Sequence, residues 1–211
     1  MAEETGYEEI GFDDESISTE RVEKYKGRKN YTDRIGFVFP KRIKKVKVHY
    51  KDKYITCNGG LCCDKMGPSQ WRLGTTIVQY RTDKNGKLEK PFGYTIKHLI
   101  FSGKKFEELR FVDGDNHNFL TKDLKILCVE EGYQQLKYSV CDDSVWQKDD
   151  RLKAQIMKEA EEAHKHIYLS SNISNDDLRE MFGMEAQGTS TVEPTDDNQF
   201  DDMLKNMDLE S

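Results

Sequence analysis

The sequence predicts a mainly β protein: a small antiparallel barrel, then a helical segment, between two acidic ends. Three observations carry this. The first 140 residues read as short apolar runs broken by turn signals, a pattern of small barrels rather than of βαβ units. From Ser144 the apolar spacing changes to a helical one. Both ends are acidic, and residues 1–20 hold too few apolar residues to pack.

The elements follow in chain order. IGFVFPK (35–41) predicts a strand stopped by Pro40. RIKKVKVHY (42–50) sets Ile43, Val46 and Val48 among lysines, as in a strand with a basic outer face. KDK (51–53) is a turn into YITC (54–57), which completes a hairpin. CNGGLCCDKMGPSQ is turn-rich and irregular. TTIVQY (75–80) is a further strand, and Asn85-Gly86 is a hairpin turn signal. FGYTIKHLIF (92–101) fits either strand or helix. Ser102 then caps a short helix carrying Phe106, Leu109 and Phe111. DLKILCVEE (123–131) and YQQLKYSV (133–140) are two strands about Gly132. This gives roughly six strands. A long helix begins at Ser144 as its cap, with Leu152, Ile156, Ala160 and Ala163 on one face. A short helix over 175–182 ends at Gly183. No internal repeat is present.

Four regions result: an acidic arm over 1–20, a core over 21–143, a helical segment over 144–183, and a linker and tail over 184–211. Of the 211 residues, 36% are hydrophobic and 34% charged, too polar for every residue to pack. No apolar run reaches membrane-spanning length, and the N-terminus has no apolar h-region. An odd count of five cysteines predicts reduced thiols in a cytosol-like compartment.

The net charge of −6 conceals its distribution. Residues 1–20 carry −8 and residues 193–211 carry −6, which leaves +8 on the body. Residues 21–53 alone hold thirteen Lys and Arg against Glu23, Asp33 and Asp52. Such a concentration is the footprint of a polyanion site; the alternative is a solvated charged surface. Aromatic residues interleave with the cations. That mixture suits single-stranded nucleic acid, where cations follow the phosphates and rings stack on bases at about 1–3 kcal/mol each. The candidate contacts are Arg28, Lys29, Arg34, Lys41, Arg42, Lys44, Lys45, Lys47, Tyr50, Tyr54, Trp71, Tyr80, Tyr94, Lys104 and Lys105. Many of the chain's rings are also expected to serve as barrel core.

His49, Cys57, Cys62 and Cys63 make an H-x7-C-x4-C-C set over residues 49–64. One His and three Cys form a tetrahedral structural zinc set. Zinc can supply roughly 10–16 kcal/mol of apparent folding free energy to a small site, and this loop has few apolar side chains of its own. The adjacent Cys62-Cys63 pair departs from the spaced C-x2-C knuckle. His98 or Asp64 stand as alternative fourth ligands, and three reduced surface cysteines without metal as the bland reading. Cys128 reads as core.

The tail offers Phe200, Asp201, Asp202, Met203, Leu204, Met207 and Leu209 as a short amphipathic, acidic partner-binding element. No nucleotide-binding, zinc-protease or nucleophile-elbow motif occurs, so the sequence predicts a protein without catalysis.

HYKDKYITC (49–57), GYTIKHLIFSGKKFEELRFV, the pair DLKILCVEEGYQQLKYSV and the acidic tail together resemble the single-stranded DNA-binding proteins of T4-like and other large tailed phages. The resemblance covers about residues 34–145 plus the tail. It implies an OB-fold-like barrel with a zinc-stapled subdomain whose ligands are His49, Cys57, Cys62 and Cys63. It implies a DNA cleft on the basic face of 41–53, coating of single strands during replication, recombination and repair, and partner recruitment by the tail. It also implies a place in the cytoplasm of an infected bacterial host. An acidic arm stands where the family has a basic one, so cooperative binding does not carry over. The rival expectation is a zinc-containing interaction module of a phage transcription or replication complex that binds a polymerase or clamp.

Overall fold

The computed structural model describes residues 22–129 and 135–184. The N-terminal arm and the tail candidates Phe200, Asp201, Asp202, Met203, Leu204, Met207 and Leu209 lie outside the described residues.

Seven strands form one antiparallel sheet: β1 (Tyr31–Phe37), β2 (Lys44–Lys51), β3 (Lys53–Thr56), β4 (Gln70–Tyr80), β5 (Tyr94–Ser102), β6 (Leu124–Cys128) and β7 (Leu136–Val140). Their order is β3-β2-β4-β1-β6-β7, with β5 on the other side of β4. Strand β4 is the spine. One of its edges pairs with β2 through Gln70–Gly74 and with β1 through Ile77–Gln79, and its other edge pairs with the whole of β5 through Arg72–Tyr80. Expectation and structure differ in where the strands begin. β1 starts at Tyr31 and ends before Pro40, and β4 extends five residues further toward the N-terminus than the 75–80 run. Arg72 and Gly74 lie in that extension and supply little of the β-branched signal that marks Thr75–Val78.

The sheet is not closed into a barrel. It curves about a core of Ile35, Phe37, Ile77, Leu99, Leu124 and Ile126. Helix α2 (Gly103–Asp113) packs against β4, β5 and β7 and adds Leu109 to that core. Ser102 caps it, accepting from the Lys105 N–H, as the sequence predicts.

The outer face of the sheet buries a second core of Val38, Phe39, Val78, Tyr80 and Trp146. Helix α3 (Asp150–Lys165) lays Ile156, Ala160 and Ala163 on it, at the predicted helical spacing. The cap is Asp149, not Ser144. Ser144 is buried and donates to Asp123 Oδ1 2.9 Å away, which removes it from any helix terminus. Beyond α3, residues 167–173 return along β3, where Ile55 bridges Ser171 in parallel. Gly74 permits this return, since a Cβ there would meet Leu169 and Ile100 at 2.8 Å. Helix α4 (Asn175–Met181), begun by a Ser174–Asp177 capping box, ends the described chain beside the β2–β3 hairpin. The segment predicted as irregular after Cys57 contains one short helix, α1 (Leu61–Met66).

Candidate metal centre and nucleic-acid interface

The β2–β3 hairpin turns at Asp52, whose left-handed φ of 59° an Asp tolerates. His49 on β2 pairs with Ile55 on β3, and Cys57 follows directly after β3. Gly59 and Gly60 then take positive φ values of 76° and 47°, a conformation that glycine adopts without strain. The chain wraps back and enters α1 with Cys62 and Cys63 in its first turn.

The four donor atoms all lie within 4.8 Å of one another. Cys57 Sγ is 3.4 Å from Cys63 Sγ and 3.7 Å from Cys62 Sγ, and Cys63 Sγ is 3.7 Å from His49 Nε2. A tetrahedral zinc with bonds of about 2.3 Å has ligand–ligand edges of about 3.8 Å. The set therefore fits a tetrahedral ion, and this His/Cys3 cluster can hold a metal. Adjacency of Cys62 and Cys63 is accommodated because a helix start, not a knuckle, presents them. Burial alone would raise the Cys57 thiol. Hydrogen bonds involving the Gly59 backbone, Cys63 and His49 outweigh it and bring the group down to about 6, while Cys63, hydrogen-bonded to Cys57, is pushed up to about 11, so that without an ion the pair favours one thiolate, on Cys57. His49 Nδ1 is buried without a partner. The alternative ligands lie elsewhere: His98 Nε2 donates to the Ala163 carbonyl oxygen, 2.7 Å away under α3, and Asp64 is exposed outside the cluster.

The basic residues of 41–53 divide by strand alternation. Lys45 and Lys47 project on one face of β2, their Nζ atoms 5.4 and 5.3 Å from the centroid of the Trp71 ring. Trp71 is 44% exposed. Lys44 lies on the opposite face, donating to the Lys165 carbonyl, and Arg42 pairs with Glu161 on α3. Tyr50 is 62% exposed, its ring 5.0 Å from that of Tyr54. Lys29, Lys41 and Lys104 are exposed. Arg28 lies over the Tyr31 ring and pairs with Asp33.

Three candidates belong to the framework instead. Tyr80 is 2% exposed, its hydroxyl donating to Asp123, so no base can reach its ring. Arg34 is held by Asp123 and Asp143 at 2.9 and 2.8 Å. Tyr94 donates to Glu159 on α3, and burial with that carboxylate pushes its hydroxyl up to about 12.

Where the sheet fails to close, β5 and β7 face each other across a cavity of about 390 Å3. Segment 24–26 pairs in parallel with β5 only at His98, so the cavity opens beside β5 residues 99–102. Its cationic lining is Lys24, Lys26, Arg72 and Lys105, with the rings of Tyr54, Phe101 and Tyr138 and with Leu136 and Ile126 below. Among the described residues no carboxylate lines it, although Glu108 holds Lys105 at 2.6 Å. A more polar hollow of about 490 Å3 adjoins through Lys26 and adds Arg28, Arg81 and Lys97, together with the carboxylate of Glu89. The sequence expectation found Tyr54 and Lys105 of this groove but did not single out Lys24, Lys26, Arg72, Phe101 or Tyr138. The only signal available for Arg72 was its alternation against Trp71 in a strand whose start the sequence concealed.

Comparison of the chain with family models, with curated proteins and with solved structures gives no match.

Proposed function

We propose that this protein binds single-stranded nucleic acid along its open sheet seam, as a non-catalytic coat for transient single strands in phage-type DNA replication, recombination and repair. The observation that carries this reading is the seam itself. Four cations and three accessible rings line one groove, and among the described residues no carboxylate lines it. Cations neutralise phosphates whatever the sequence, and rings stack on splayed bases, which a duplex does not offer. The Lys45–Trp71–Lys47 strip flanks the same end of β4, because Trp71 and Arg72 are consecutive and project to opposite faces. His49, Cys57, Cys62 and Cys63 would hold a structural zinc, whose chemistry when bound is to clasp the hairpin that carries Tyr54. The acidic C-terminal tail would recruit partner proteins of the replication and recombination apparatus.

The test is a fluorescence titration with oligothymidylate and with duplex of the same length, with zinc measured on the same sample. Trp146 is buried in the second core, so quenching reports on Trp71. Tight, salt-sensitive binding to the single strand and about one zinc per chain are expected. Equal affinity for duplex overturns the reading and leaves the interaction module. Single-strand preference without zinc keeps the function and removes the clasp. A parallel titration with oligouridylate decides between DNA and RNA.

A further inference from the structure

Among the described residues, Arg72 is the half-buried cation of the groove that no carboxylate pairs, whereas Lys24 and Lys26 are exposed to solvent and Lys105 is held by Glu108. The Nε and Nη1 of Arg72 are fully buried without a hydrogen-bond partner. Its guanidinium carbon sits 3.4 Å from the centroid of the Tyr54 ring, in stacking contact. The other half-buried or carboxylate-paired arginines contrast with it. Burial acts on Arg28 and Arg34 too, yet Asp33 and Asp123 outweigh it and both are raised. Arg72 is instead pulled down by burial, only partly opposed by Tyr54. An arginine stays charged in a protein, and a buried charged donor left unmade is costly. A chain that keeps such a group gains from it in some other state.

Resting on the single-strand reading above, we propose that Arg72, plated on Tyr54, is the fixed anion receptor of the seam and takes one backbone phosphate of the bound strand. The planar guanidinium matches phosphate oxygens, and a ring beneath it fixes the plane in advance. A lone carboxylate ligand would need one cation. Here Lys24, Lys26 and Lys105 line the same cavity, which suits a series of anions at backbone spacing. The stack also gives Tyr54 the part of a positioning residue: β3 carries it, and β3 is joined to β2 beside His49 and Cys57.

The test compares the full chain with Arg72→Gln and Arg72→Lys in oligothymidylate titrations at several salt concentrations, with melting temperatures for all three. Arg72→Gln is expected to bind at least tenfold more weakly, with a slope against log salt less negative by about 0.7, the value for one phosphate on a single strand. Its melting temperature should be equal or higher, because an unanswered buried charge has been removed. Arg72→Lys is expected to keep the slope and lose affinity severalfold, since it keeps charge without the plane. Unchanged affinity and slope in Arg72→Gln overturn the proposal, as does a lowered melting temperature or failure to fold, each of which marks a structural arginine. Competition by a polyglutamate peptide as strong as by the oligonucleotide also overturns it, in favour of an acidic protein ligand. If the unmodified chain shows no single-strand preference, the underlying reading fails. If it does and Arg72→Gln matches it, only the receptor fails.

Discussion

Asp123 is fully buried and gathers more donors than any other carboxylate of the framework. It accepts from Arg34 Nε, the Tyr80 and Ser144 hydroxyls and the Val145 N–H. These partners join β1, β4, β6 and the lead-in to α3, so one carboxylate ties the two cores together. Asp123→Ala leaves Arg34 buried without its main counter-charge, and is expected to cost about 3–5 kcal/mol in urea denaturation. A loss under about 1 kcal/mol would show that Asp143 suffices for Arg34. The same network explains why individual residues were partly illegible. Arg34 and Tyr80 have the types of a nucleic-acid contact, and nothing local separates them from Lys45 or Tyr54. What separates them is Asp123, far away in sequence, which pairs one and caps the hydroxyl of the other. His49, Cys57, Cys62 and Cys63 were legible because ligand types within one short loop need no distant partner to define them.

Among the elements, helix α3 is held to the sheet by two buried histidines as well as by Ile156 and Ala160. His98 Nε2 meets the Ala163 carbonyl oxygen at 2.7 Å, and His164 Nδ1 meets Thr76 Oγ1 at 3.0 Å. Burial lowers both below the ordinary imidazole value, with Lys44 acting in the same direction on each. A histidine depressed in the folded state contributes stability above its unfolded pKa of about 6.5, and that contribution is lost as pH falls through the folded value. Melting temperature is therefore expected to fall between pH 7.5 and 5, and His98→Gln should flatten the fall. An equal slope in that variant would place the pH dependence elsewhere. The hairpin is a second unit of this kind. Asn58 donates to the Ile173 carbonyl and Lys51 to that of Met181, so the region after α3 leans on the hairpin and loop that carry the His/Cys3 cluster. Chelation is expected to raise hydrogen exchange over 49–66 and 171–182 and leave β1, β4 and β6 protected. Uniform protection after metal removal would mean the hairpin stands without a clasp. Helix α3 was legible from its spacing, but its start was not: Asp123 recruits Ser144, and Asp149 takes the cap.

At the scale of the molecule, the departure from expectation is the open seam. Short strands and frequent turns are shared by closed barrels and by curved open sheets, and closure depends on whether the last strands meet. Here α2 packs against both β5 and β7 and lines one side of the gap between them, with Leu109 in the core and Lys105 at the rim. The sequence displayed that helix and its Ser102 cap but not the gap it spans, because the gap is a property of strand order. The same order gathers cations from 24–26, β4 and α2 that lie far apart in the chain. A test of the whole arrangement is the ionic-strength dependence of binding. Lys24, Lys26 and Arg72 in the seam and Lys45 and Lys47 on the flanking strip are five cations that no described carboxylate holds. At about 0.7 per phosphate they predict a slope near −3.5 for oligothymidylate. Charge-removing substitutions at Lys45 and Lys47 together should bring it to about −2, and those at Lys24 and Lys26 should do the same. If only the strip pair changes the slope, the strand lies across β2 and the seam is not its path. If only the seam pair does, Trp71 flanks the strand without its lysines touching phosphate, and the groove between β5 and β7 carries the binding alone.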